Sequence, residues 1–175
     1  MAKTDSFFIR QTLNADNTNA FLQEPIDLGA YVDALGKAVL RIHNISIQYT
    51  DINGAPLEIT GSTNGTSAVA SFQLTTQTQS ALVLSGSNKS VVASGRTNAY
   101  AFGTSGNVYP SITSDALDNA PQMWENGYLI GVETLYLGGS ASTGWTSDVY
   151  VSIVMECTSE SLTQAAAMAL ALSQQ

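Results

Sequence analysis

Hydrophobic and polar positions alternate along most of this chain with the two-residue period of a half-buried β-strand. The clearest run is Lys37–Thr50, KAVLRIHNISIQYT. Leu40 and Ile42 share one face. Ile45, Ile47 and Tyr49 share a face with the parity shifted, which is what a β-bulge or bend produces. The Asn53-Gly54 pair within Asp51–Pro56 predicts a tight turn, with Leu57–Thr60 as a short return strand. After a polar loop over Gly61–Ser67, the alternation of Ala68, Ala70, Phe72, Leu74 and Thr76 with polar residues predicts another strand. Ala81–Leu84 and Val91–Ala93 read as short strands around a hairpin turn at Ser85–Ser90. Gly95–Pro121, with Tyr100, Phe102 and Tyr109 among Gly, Ser, Asn and Asp, reads as a long connection holding one short strand near Asn98–Phe102. Gly127–Leu137 is a strong strand, with Tyr128, Ile130, Val132 and Tyr136 on one face and Leu129, Leu135 and Leu137 on the other. Gly138–Gly144 is then a loop, and Trp145–Cys157 a last strand with Val149, Val151, Ile153 and Met155 on one face.

About eight antiparallel strands with long loops predict a single all-β domain, a β-sandwich or jelly roll. The end of the chain changes character. Ser161 with Gln164 resembles a capping box, and the Ala-rich stretch Leu162–Leu172 favours a short C-terminal helix. Its apolar residues, Leu162, Met168 and Leu170 among them, surround the helix more than they stripe it, so it needs cover from its own domain or from a neighbour. Phe7, Phe8 and Ile9 lie in a polar context near the other terminus. The expected division is an N-terminal arm over 1–25, a sandwich over 26–157 and a helical tail over 158–175. Both termini can serve as inter-subunit arms or cap their own sandwich. Removing residues 159–175 is expected to weaken assembly more than folding.

Composition narrows the function. Only 11% of residues are charged, against about 25% in ordinary globular chains. A surface of neutral polar residues is soluble but poorly protected against self-association. The formal charge is −8, and Lys3, Arg10, Lys37, Arg41, Lys89 and Arg96 are scattered singly, so direct nucleic-acid binding is not expected. The single Cys157 excludes an internal disulfide framework and any Cys-based zinc site. No signal-peptide run opens the sequence and no stretch approaches membrane-spanning length, which predicts synthesis in the cytoplasm. Asn44, Asn64 and Asn88 begin glycosylation sequons, read as chance matches in that setting.

Catalytic chemistry finds no support. The lone His43 lies inside a strand and reads as structural, and no nucleophile elbow is present. The acids are dispersed, so no metal site, cofactor or paired-carboxylate site is expected; Glu125, Glu133, Asp148 and Glu156 have no spacing that requires convergence. The alternative to a structural role is a sugar platform built on aromatic side chains, with Trp124 and Trp145 as its contacts.

A chain of this size, all-β, low in charge and without a basic arm, resembles a single jelly-roll virus capsid protein. The stretch Glu24–Tyr49, EPIDLGAYVDALGKAVLRIHNISIQY, is similar in character to the small major capsid proteins of membrane-containing icosahedral viruses, the sphaerolipovirus type that infects halophilic archaea and thermophilic bacteria. The resemblance covers the overall pattern and carries no diagnostic motif. It implies a virion subunit that self-assembles or co-assembles with a larger capsid protein in a shell over an internal membrane. Phe7, Phe8, Ile9, Leu162, Met168 and Leu170 are its expected assembly contacts.

Overall fold

The computed structural model describes residues 5–33, 37–60, 66–101, 103–104, 107–108 and 112–175. Strands form where the two-residue alternation is strongest, and the longest of them, β3 (Ala38–Thr50), carries the expected irregularity. Asn44 pairs with Glu156 and Ile42 with Cys157 on β11 (Tyr150–Ser161), leaving His43 as the extra residue of a bulge. That extra residue lets Leu40 and Ile42 on one side of it, and Ile45 on the other, all point into the core. The turn after β3 is also as expected. Asp51 accepts from the Asn53 and Ala55 amides at 2.8 Å each, and Gly54 takes φ +79°. Those amides, Ala55 foremost, hold the Asp51 carboxyl below its ordinary range.

Two antiparallel sheets face each other. In the first the order is β1 (Phe7–Asn14), β11, β3, β9 (Tyr128–Ile130). In the second it is β2 (Phe21–Asp27), β10 (Thr134–Ala141), β4 (Thr66–Thr75), β5 (Val91–Ala101), β8 (Ile112–Asn119). The two-residue strands β6 (Gly103–Thr104) and β7 (Asn107–Val108) pair with each other. The pairing β1–β11, β2–β10, β3–β9 and β4–β5 matches outer strands with outer and inner with inner. A long antiparallel ribbon rolled over on itself produces this order, so the domain is a jelly roll of eight strands with β8 added outside β5. Leu13, Ile42, Val151, Ile153 and Met155 from one sheet meet Ile26, Phe72, Leu74, Leu135 and Leu137 from the other in a single core.

Several expectations need correction. Residues 7–14 and 21–27 are strands of the roll, so the predicted 1–25 arm is largely part of the sandwich. Gly127–Leu137 is two strands in different sheets. The inward parity changes from Ile130 to Leu135 because the chain crosses between sheets there. Gly138 and Gly139 belong to β10 and not to a loop; a Cβ on Gly139 would press on Leu13 Cδ2 at 3.0 Å and one on Gly138 on Phe21 Cζ at 2.5 Å. The Gly95–Pro121 connection supplies most of β5 and all of β8, because small residues such as Ala99 fill the inner face there as well as larger ones do. Leu57–Thr60 is no ladder strand: it makes one isolated bridge, Ile59 to Trp145, and the bridge just before it, Thr50 to Pro56, ends at a residue with no amide to continue a ladder. Ala81–Leu84 is no strand. Its segment lies over the outer face of the second sheet, where the Gln73 amide bonds both the N–H and the C=O of Val83 in place of a neighbouring strand. Phe102, Tyr109 and Asn64 lie outside the described residues.

The helix α1 (Gln164–Ser173) closes one end of the roll. Its cap is Thr163, whose hydroxyl accepts from the Ala166 amide at 3.3 Å; Ser161 is still paired to Ala38 in β11 and cannot cap it. Ala167, Ala171 and Gln174 are buried on one face. Gln174 ties that face down by accepting from the Gly131 amide (2.9 Å), donating to the Leu129 carbonyl (2.7 Å) and accepting through its own carbonyl from the Thr76 hydroxyl (2.6 Å).

Candidate assembly surface

The end of the roll that α1 closes also receives the loop after β2, the long β4–β5 loop, the β9–β10 turn and the start of β1, as the strand registers require. Each of these elements needs only one side for its own packing, and several present an apolar side chain on the other. Met168 and Leu172 (66% exposed) stand on the open face of α1, Leu82 and Leu84 (78%) on the β4–β5 loop, Tyr31 after β2, and Phe8 (55%) on the outer face of β1. The same loop keeps its polar groups inward: Ser85 and Ser94 hydroxyls meet at 2.8 Å, and the Gln79 backbone N–H donates to Gln23 Oε1 at 3.1 Å. The apolar residues therefore face solvent because the backbone of the loop is anchored by amide and hydroxyl side chains and not by burying its leucines.

The residues expected to make assembly contacts divide into two groups. Phe8 and Met168 are exposed. Phe7 and Ile9 pack against the core, with the Phe7 ring stacked on Tyr31 at 4.6 Å, while Leu162 and Leu170 are half-buried, Leu170 against Gly131. Leu82, Leu84 and Tyr31 were not expected there. The Ala81–Leu84 run signals the two leucines in the sequence, but only as a strand, because nothing local distinguishes an apolar pair that turns inward from one that a loop holds outward.

The alternative sugar contacts also separate. Trp124 is 56% exposed beside Met123. Trp145 is buried in the core with its indole N–H donating to the Val69 carbonyl at 3.1 Å, so the two rings form no common platform. His43 is held through Nε2 by the Thr158 hydroxyl at 2.9 Å. Among the described residues, no group of three or more His, Cys, Asp or Glu side chains is placed to hold a metal ion. Cys157 is buried, and burial chiefly, with Glu156 beside it, pushes its thiol up to about 12.

Arg41 and Arg96 are each held by a carboxylate. Arg41 makes a two-point contact with Glu160, Nε to Oε1 at 2.7 Å and Nη2 to Oε2 at 2.9 Å, and its third nitrogen donates to the Asn126 carbonyl. Glu160 is buried. Arg96 contacts Asp118 across β5 and β8 at 3.3 Å. The Arg41–Glu160 pair ties the start of β3 to the end of β11 immediately before α1. Removing residues 159–175 would therefore strip Arg41 of its partner and damage the sandwich itself, contrary to expectation.

No family model matches the chain, and no curated protein does. Solved structures do. The similar ones include a desmodium yellow mottle tymovirus structure (14% identity over 92% of this chain and 89% of that one, TM-score 0.34). Others are the unassembled pentamer of VP1 from Merkel cell polyomavirus (8%, 91% and 97%, 0.41) and cocksfoot mottle virus (11%, 94% and 98%, 0.37). At these scores the jelly-roll assignment rests on the chain's own strand order.

Proposed function

We propose that this chain is a structural shell subunit, a capsid protein that works by packing against copies of itself. The observation that carries the reading is the set of solvent-facing apolar side chains, Phe8, Tyr31, Leu82, Leu84, Met168 and Leu172, at one end of a jelly roll. Exposed apolar surface of this kind marks association sites, and the 11% charged fraction does little to oppose contact. The free outer edges of β1, β2 and β8 add backbone groups that a neighbour can approach. The resemblance to the small sphaerolipovirus capsid proteins extends the proposal to a second, larger shell protein and an underlying membrane. With Arg41 and Arg96 both in ion pairs, the shell would meet its contents without a basic patch. The glycan alternative retains Trp124 and loses Trp145 to the core.

Light scattering and negative-stain microscopy of the purified protein across low and high salt test the proposal. Rings, capsomers or closed particles are expected. Leu84→Asp and Leu172→Asp should each reduce particle size at unchanged melting temperature, since neither side chain supports the fold. Particles whose size is indifferent to both substitutions would place the contacts elsewhere, and a protein that stays monomeric at every salt and concentration, alone and with virion extracts, would overturn the reading.

A further inference from the structure

The second sheet is one strand wider than the first, and the mismatch leaves a cleft. β8 lies outside β5, while on the opposite sheet β9 covers only Leu40–Ile42 of β3. Beyond it the Gln122 side chain stands in for a strand at Ile45, accepting from its N–H at 3.1 Å and donating to its C=O at 3.0 Å. From Ile47 onward, the inner face of β8 looks across at the open flank of β3. The cleft between them has a volume of about 560 Å³, within the range of about 300–1,000 Å³ typical of small-molecule sites.

Its walls are chemically uneven. Ile45, Ile47, Leu57, Phe72, Leu117 and Trp145 make it apolar. Leu117 reaches it because it opposes Gly95 across β5, and Asp115 because it opposes Thr97, a buried inward-facing residue. Tyr49 also lines it, and the Tyr49 phenolic oxygen is the one buried side-chain N or O atom without a hydrogen-bond partner among the described residues. An unpartnered buried hydroxyl carries its whole desolvation cost, so an acceptor brought against it would be stabilising. Burial first, then the Asp115 and Asp118 carboxylates, push the phenol upward, so it keeps its proton and offers a donor to an acceptor that fills the cleft. The Asp115 carboxylate, which lines the cleft, would repel a negatively charged head group.

We propose that this flank cleft binds a neutral amphiphile, an apolar chain lying against Ile47, Leu57 and Leu117 with an uncharged oxygen accepting a hydrogen bond from the Tyr49 hydroxyl. The site is independent of the shell reading; it lies between the sheets and uses none of the exposed residues at the α1 end.

Methyl-labelled protein titrated with decan-1-ol and, separately, with decanoate tests it. Saturable shifts confined to the methyl groups of Ile45, Ile47, Leu57 and Leu117 are expected with decanol, and weaker binding with decanoate because of Asp115. Tyr49→Phe keeps the ring and should lower decanol affinity about 3- to 10-fold, the worth of one ordinary hydrogen bond. Leu117→Trp, which fills the cleft, should abolish binding. Shifts that fail to saturate or spread over the molecule would overturn the site on the unmodified protein, whether or not Leu117→Trp folds. Unchanged affinity in Tyr49→Phe, or decanoate binding as tightly as decanol, would overturn the head-group assignment.

Discussion

Replacing Arg41 by Met should cost this fold about 3–5 kcal/mol, the range found when one partner of a buried ion pair is removed and the other remains. The structure supports the upper part of that range. The Glu160 side chain is fully buried, both its oxygens are engaged by the guanidinium at 2.7 and 2.9 Å, and Arg41 also satisfies the Asn126 carbonyl. Met fills the aliphatic path of Arg41 but offers no donor, so a carboxylate stays in the interior without its cation. Glu160→Met in the Arg41→Met background should restore most of the loss, since an apolar pair of similar volume has no charge to desolvate. Urea unfolding followed by near-ultraviolet circular dichroism measures both, with an unchanged slope required for the midpoints to be compared. The reasoning fails if Arg41→Met alone costs under about 1 kcal/mol, the value of a surface pair, or if the double variant is no more stable than the single.

Two further predictions concern the backbone and the buried ionisable groups. Gly127 has φ +64° and its Cβ position is occupied by the Ile42 carbonyl, whereas Gly54 has φ +79° and open space around it. Ala at either position meets the left-handed strain of about 1–2 kcal/mol, but only Gly127→Ala adds a clash between β9 and β3, so calorimetry should show a clearly larger fall in melting temperature there; equal falls would refute the packing argument. Cys157 and Tyr49 are both pushed above their unfolded values. The stability they contribute is therefore complete below pH of about 8.5 and is lost as pH climbs toward about 12 for Cys157. Urea midpoints should be flat from neutrality to pH of about 8.5 and then decline, by up to about 1.4 kcal/mol per pH unit for each group, with a smaller decline in Cys157→Ala. A midpoint indifferent to alkali, or a native thiol that reacts with Ellman's reagent before unfolding, would contradict its burial.

The two-residue alternation alone determines that this is an all-β domain, where β3 bulges, where the Asn53-Gly54 turn lies and which faces of β4 and β11 are inward, because each depends on neighbours within a few positions. The same local reading goes astray wherever a strand owes its existence to a distant partner. β1 and β2 look like an arm because their inward residues are few and mixed with polar ones, and they become strands only because β11 and β10 lie beside them. β9 and β10 read as one strand until the chain has to serve two sheets. Leu82 and Leu84 face outward because Gln73, on the strand beneath, holds Val83 by both its backbone groups. The flank cleft and the partnering of Arg41 with Glu160 likewise arise from unequal sheet widths and from a register that joins residues 119 positions apart. Alternation records which way a side chain points relative to its own strand; only the packed sheets decide what it points at.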